Sequence, residues 1–422
     1  MVKDADVVVI GSGGFGAATA YFLMRHGGRR VALFDRHALA SQTSPRAAGN
    51  AAMLRSTDLM SRLAQRAVEW LLRLSADTGE PLEIVRSGSL KVARTAEDAD
   101  ILAREAARGE RLGLGTRVIS PEAAHRVHPF FQPRGVRAVL HTPGDVYFEP
   151  SHVATAYATA AGKLGATLLP NTTVTGVHVR NGVVEGVETD RGRIESPVVI
   201  DAAGAWARQV AAAAGIHVPM VPTRHQVLIT EPVEGATPEL PIVRIMDAAV
   251  YARPCWGGFL AGGYETEPTQ FEMERLPSSF SIADTPLDLS VLRRLMEGVR
   301  EQLPVLSTAP LRLYRGGIPT MTPDGQHIVG PVPGAAGFFV ASGCNVAGLS
   351  DLAGHRRGDR TVDRRRSAVR GSRGDVDRAL RAGVARRGEA ASGGRVGVLA
   401  LLLVRRARRL TGARGARGAP SS

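Results

Sequence analysis

Three glycines in the spacing Gly11-x-Gly13-x-x-Gly16 directly follow the apolar run Val7-Val-Val-Ile10 and precede an alanine-rich stretch. Such a pattern suits the holding of a pyrophosphate. The first glycine permits a tight turn out of a strand, the second lets the backbone approach phosphate oxygens, and the third lets the next helix lie close to the strand. Ser12, Gly14 and Phe15 fill the intervening positions, where the amides of a helix start face bound phosphates. A second apolar run, Val31-Ala-Leu-Phe34, ends on Asp35 and Arg36. An acid about twenty residues beyond the glycines is placed to grip a ribose hydroxyl. Strand, glycines, helix, strand and acid in this order read as a dinucleotide-binding unit and not as a chance glycine loop.

That unit leaves nicotinamide and flavin dinucleotides both open, and later segments favour flavin. Val198 to Trp206 reads as a buried strand ending in Ala203 and Gly204, small residues that let backbone pass close to a ligand. Thr322 to Gly330 precedes a further apolar strand, Gly337 to Ser342, and Gly343-Cys-Asn-Val-Ala-Gly-Leu349 then reads as a glycine-lined helix start. Between these segments, apolar spacing predicts covering helices over Ser61–Thr78, Ala96–Gly113, Val153–Leu164 and Leu287–Gln302. Short strands are predicted between 166 and 194, and Gln226–Thr230, Ala248–Arg253 and Gly258–Gly262 read as strands of an inserted sheet.

With its four segments in this order, the chain over about residues 5 to 350 resembles the D-amino-acid oxidase family of FAD-dependent oxidoreductases, which includes glycine oxidase, sarcosine oxidases, and sarcosine and dimethylglycine dehydrogenases. The resemblance implies an α/β fold: a Rossmann-like FAD-binding domain with an inserted antiparallel β-sheet substrate domain. It divides the chain into a discontinuous FAD-binding part, residues 1–85, 145–215 and 311–350, and a substrate part, residues 86–144 and 216–310. It further implies that Gly11, Gly13 and Gly16 hold the pyrophosphate, Asp35 the adenosine ribose and Val174 the adenine. Ser44, Arg46, Ala47, Ala48 and Gly49 would line the flavin side, with Gly317 nearby. Gly343, Asn345 and Gly348 would place a helix N-terminus at the flavin ring, where it favours the negative charge of the reduced form.

Departures from the family sharpen these expectations. Val346 stands where glycine oxidases carry a carboxylate-binding arginine, Arg46 where the dehydrogenases carry a flavin-linking histidine, and Gly317 where monomeric sarcosine oxidases carry a flavin-linking cysteine. FAD is therefore expected to be non-covalent. Residues 216–310 contain no lysine, although sarcosine oxidases use one to promote reaction with oxygen, which leans toward a dehydrogenase.

A hydride passes from a substrate carbon directly to a flavin, so the protein mainly positions and neutralises. A substrate carboxylate suits an arginine fork or a tyrosine hydroxyl, for which Arg55 and Tyr251 are the candidates. His225 suits an amine or a proton near neutral pH. Each has a plainer reading, a surface salt bridge for Arg55 and sheet packing for the other two. Arg315, before Gly316-Gly317, suits either the flavin or an ion pair. His125 and His128 lack an acidic or cysteine partner at diagnostic spacing, so no metal is expected. The expected activity is hydride removal from the carbon beside the amine of a secondary or N-methylated amino acid, with hydrolysis of the imine and electrons passing to oxygen or an electron-transfer acceptor. A 2-hydroxy acid or polyol phosphate is the alternative substrate.

With 422 residues and 44% hydrophobic content the chain suits two domains with ordinary cores. The longest relevant apolar run, Val396 to Val404, is far short of the ~18 residues that span a membrane. A strand beginning at Asp6 leaves no room for a signal peptide, and two cysteines make the cytoplasm the expected compartment. The formal net charge of +13 lies wholly in residues 351–422, where 19 arginines face six acids and no aromatic occurs; the preceding residues carry 34 bases and 34 acids. Nucleic-acid binding tails often interleave aromatics or lysine with arginine, so a nucleic-acid partner is not expected. Read one base on, with third codon positions free, Leu352 to Arg366 permits small residues and then an amphipathic helix. The segment from Asp351 is therefore expected to be a frame-altered, non-native tail, the alternatives being a disordered tail or a polyanion binder.

Overall fold

The computed structural model describes residues 3–27 and 30–350. Strand β1 (Val7–Ile10) runs into helix α1 (Gly14–Arg25) and returns as β2 (Val31–Phe34). All residues of both strands are buried, as suits β-branched runs covered on two faces. β1 lies between β2 and the strand Val199–Asp201, parallel to both, and Phe338–Ser342 lies parallel beyond that strand. Ile328–Pro331 and Thr167–Leu169 form the edges of this six-stranded sheet. The chain thus leaves β1 at a point where neighbouring strands run off in opposite directions, the crevice in which parallel sheets bind ligands. Gly16 holds that corner closed: a β-carbon there would stand 1.7 Å from the Gly11 carbonyl oxygen.

Alanines let α1 lie close to the helix Pro150–Lys163, with Tyr21 and Tyr157 buried between them. Truncating a wholly buried residue such as Leu33 would cost about 2–5 kcal/mol.

An eight-stranded sheet forms the second layer, in the order 311–317, 225–230, 258–263, 250–255, 242–245, 89–93, 138–142, 117–119. All neighbours are antiparallel except Ile242–Ile245 on Ser89–Ala93. Its side chains alternate. Leu90, Val243, Ala252 and Phe259 pack toward Leu292 and Met296 of the helix Leu289–Glu297, so residues of the opposite parity face the other way, toward the first sheet. Period-2 alternation is what a sheet with two different environments requires.

Several expected boundaries shift for local reasons. The helix expected from Ser61 begins at Asp58, because the Thr57 side chain accepts from Met60 N. The helix expected from Val153 begins at Pro150, a residue suited to a first helical position. The helix expected to reach Gln302 stops at Glu297, and Gly298 and the turns after it leave the Gln302 side chain to bind Arg94 and the Arg134 carbonyl. Strand Leu311–Gly317, expected with the nucleotide-binding part, pairs along His225–Thr230, so the second sheet crosses the expected boundary at 310. Residues 343–350 form turns, with Asn345 and Val346 at φ 44° and 65°, and not the expected helix start. Any helix following them, and the arginine-rich segment from Asp351, lie outside the described residues.

Candidate active site

A cavity of about 920 Å³ runs from the carboxyl ends of the parallel strands to the inner face of the eight-stranded sheet. At one end Gly11, Gly13, Gly14 and Phe15 line it. Gly13 enters α1 with no side chain capping the helix, and Gly14 N donates to Ser44 Oγ at 2.9 Å. Ser12 and Gly16 are not at the wall. Ser12 is fully buried and donates through its amide and hydroxyl to Asp35 Oδ2, at 2.8 and 2.6 Å. Asp35 Oδ1 accepts from His37 N at 2.8 Å, so the acid is fixed while still lining the cavity. Arg36 lies over the Trp206 ring at 5.3 Å, and Val174, Ala203 and Gly204 line the same region. A glycine cradle at a helix start beside a fixed acid fits the pyrophosphate and ribose of a dinucleotide.

Arg46, Ala47, Ala48 and Gly49 line the middle of the cavity. Gly49 has φ 74° and a β-carbon there would lie 2.1 Å from the Phe148 carbonyl oxygen, which is why the loop carries glycine. Gly317 abuts Thr43, whose hydroxyl accepts from Ile318 N at 3.2 Å. A guanidinium at 46 and a glycine at 317 offer no side chain for a covalent flavin link. Asn345 and Gly348 reach the wall, whereas Gly343 lies behind it, donating to Thr320 Oγ1 at 3.1 Å. Asn345 accepts from Thr322 N at 3.0 Å and donates to the Gly343 carbonyl at 2.9 Å, which fixes these turns. Arg315 braces the loop from below through the Ala47 carbonyl at 3.3 Å.

Arg55, His225 and Tyr251 all line the cavity, and the Arg55 charge acts on the neighbouring Tyr264 hydroxyl. His225 Nε2 and the Tyr251 hydroxyl are 2.7 Å apart, and the Tyr264 ring lies 5.2 Å from His225. Burial pushes the His225 imidazole down to about 4 and the Tyr251 hydroxyl above its ordinary value, so both are neutral near pH 7. Arg55 extends from the loop after Asn50–Ala51 and donates to Ser350 Oγ at 3.3 Å. Buried Asp145 ties that loop to the sheet, accepting from Met53 N at 2.8 Å and Ser89 Oγ at 2.6 Å. Burial raises the Asp145 pKa, and the charges of Arg244 and Arg55 counter the rise.

Arg244 and Tyr264 also line this chamber and were missing from the sequence reading. For Arg244 a trace existed: an arginine inside the apolar strand Ile242-Val-Arg-Ile245 marks the face turned from the core. Tyr264 follows Gly262-Gly263 with nothing comparable to mark it. His128 is buried and pushed down to about 4, and His125 Nδ1 lies 2.6 Å from the Phe131 carbonyl. No cluster able to hold a metal occurs among the described residues. No helix among them is long and apolar enough to cross a membrane.

A glycine-cradled dinucleotide crevice facing a sheet-backed chamber defines a two-part nucleotide-dependent oxidoreductase fold. The family model "FAD dependent oxidoreductase" matches residues 6–355. The chain belongs to that family, and FAD is its dinucleotide. It is 33% identical to human mitochondrial sarcosine dehydrogenase across 82% of this chain and 38% of that protein. It is 32% identical to the 4-methylaminobutanoate oxidase (formaldehyde-forming) of Paenarthrobacter nicotinovorans across 81% of this chain and 41% of that protein. The chain thus spans about two fifths of the length of these relatives. The glycine oxidase structure from Geobacillus kaustophilus superposes with a TM-score of 0.71 at 25% identity, covering 83% of this chain and 92% of that one.

Proposed function

We propose that this chain oxidises the carbon beside the amine of a secondary or N-methylated amino acid, residues 1–85, 145–215 and 311–350 chiefly serving the cofactor and the remaining described residues the substrate. FAD, once bound, supplies the hydride acceptor. The observation that carries the reading is the neutral His225–Tyr251 pair in a chamber that also holds arginine. A carbon releases hydride readily only when the adjoining nitrogen has a free lone pair. The burial that keeps His225 unprotonated acts on a bound amine in the same direction, and the positive charges of Arg55 and Arg244 add to it. His225 and Tyr251 then orient the nitrogen by hydrogen bonds without adding charge. Loss of hydride leaves a carbon–nitrogen double bond; water adds to it, the bond to nitrogen breaks, and an amine and a carbonyl compound leave.

Electrons pass onward to oxygen or to an electron-transfer acceptor, and we take the cytoplasm as the compartment, consistent with two free cysteines. The test is anaerobic addition of N-methylglycine, 4-methylaminobutanoate and lactate to the FAD-loaded protein, following flavin absorbance. Bleaching by either methylamino acid is expected; bleaching by lactate alone would replace the reading with hydroxy-acid oxidation.

A further inference from the structure

We propose that Arg244 is the side chain that pairs with the substrate carboxylate, with Arg55 the lesser of the two cations in the chamber. The assignment rests on the proposed function only for the chemical identity of the substrate; the anion it requires is common to amino and hydroxy acids.

The strand supplies the first argument. Val243 and Ile245 pack into the core with Leu292 and Met296, so Arg244 between them faces the cavity. Its register partner on one side is Tyr251 and on the other Lys91. Neighbouring strands lie about 4.8 Å apart, and the Arg244 charge is near enough to act on the hydroxyls of both Tyr251 and Tyr264.

Unsatisfied hydrogen bonding supplies the second. Buried Nε atoms without a hydrogen-bond acceptor among the described residues occur on both Arg244 and Arg55, but Arg55 donates through its Nη2 to Ser350, whereas the Arg244 guanidinium makes no side-chain hydrogen bond or ion pair among the described residues. Other cations along the chamber are engaged. Lys91 pairs with Glu105 at 3.1 Å, Arg224 with Glu265 at 2.8 Å, and Arg55 donates to Ser350. Asp145 feels the charge of Arg244, but both its oxygens already accept hydrogen bonds. A partly buried guanidinium calls for an acidic acceptor, and its planar fork matches a carboxylate at two atoms.

The probe is trimethylglycine, a carboxylate whose quaternary nitrogen has no lone pair and so cannot be oxidised by hydride loss, set against tetramethylammonium, which lacks the carboxylate. Each is titrated into the FAD-loaded protein and read from the flavin absorbance. Arg244→Met should weaken trimethylglycine by about tenfold or more, the loss of one charge-assisted pair, while leaving tetramethylammonium unchanged. Arg244→Lys, which keeps the charge but not the fork, should fall between; it decides the matter on its own if the methionine variant fails to hold flavin. If lactate reduces the flavin and the methylamino acids do not, lactate becomes the carboxylate probe; a tenfold loss then keeps Arg244 and discards amine oxidation. Wild-type affinity in Arg244→Met, equal loss for both probes, or no response of the wild type to any carboxylate would overturn the assignment.

Discussion

The Tyr251 hydroxyl reaches His225 Nε2 at 2.7 Å across a strand that carries glycine at the crossing point. Gly262 is the register partner of both Tyr251 and Val227, and a β-carbon on it would stand 2.6 Å from the tyrosine oxygen. The missing side chain is what allows two residues on non-adjacent strands to touch. A glycine in a strand costs stability and here marks a place where another group must pass.

Gly262→Ala should therefore displace the Tyr251 hydroxyl while leaving the nucleotide crevice intact. Turnover of the best amine should fall at least about tenfold, in the range of lost acid–base or orienting groups, with FAD content unchanged. Because His225 stays neutral above about 4, the ratio of wild-type to variant rates should be level between about pH 5 and about pH 8. A ratio that changes with a midpoint near 6.5 would show His225 to be exposed and titrating.

Two of the three glycines in the fingerprint should behave differently. Gly13 has φ −64°, and a β-carbon there meets only Ser44 Oγ at 3.3 Å. Gly13→Val should fold and lose FAD, because the side chain occupies the approach of the pyrophosphate. At Gly16 the clash is with the Gly11 carbonyl at 1.7 Å, so Gly16→Val should cost about 3 kcal/mol or more and impair folding itself. Thermal unfolding and flavin content measured together separate the two. Denaturing the wild type should release all of the FAD intact, and flavin retained on the unfolded chain would refute non-covalent binding.

Asp201 gives a stability prediction with a definite sign. It is fully buried at the end of its strand, Oδ1 accepts from Ala203 N at 3.1 Å, and Oδ2 has no partner among the described residues. Burial pushes its carboxyl up to about 8, against about 3.9 in an unfolded chain. Between these values the folded form binds more protons, so stability falls as pH rises from about 4 to about 8. Asp201→Asn should remove that slope, adding about 5 kcal/mol near pH 8 and little near pH 4. Parallel unfolding curves for the two proteins at all pH values would contradict the buried-acid account.

The nucleotide-binding half was legible in the sequence because its signals are local: glycine spacing, two apolar runs and an acid lie within about thirty residues. The chamber was legible only in part. Tyr251 and His225 stood out by residue type, but their contact depends on a strand between them and on Gly262, and strand order leaves no mark in the sequence. Arg244 leaves only a partial mark, an arginine within an apolar strand, because its pairing with Tyr251 is set by strand order. Ser12 was read as a ligand contact, whereas it turns inward to fix Asp35, a role that depends on a bond across 23 positions.

The arginine-rich segment yields the last prediction. The chain before Asp351 is balanced in charge, while 19 arginines and no aromatic follow, and the family match ends at residue 355. The described fold stops with Leu349 and Ser350 buried, Leu349 against the core that carries α1. Read one base on, with third codon positions free, the stretch after Ser350 permits an amphipathic helix. A gene re-sequenced and expressed with the frame restored near Ser350 should hold FAD more tightly, because added apolar cover and a helix N-terminus near the flavin both stabilise the loaded form. Equal flavin affinity and turnover in the two versions would defeat this account. RNA binding by the unrestored chain, falling steeply with salt and lost when residues 351–422 are deleted, would instead make the segment a polyanion binder.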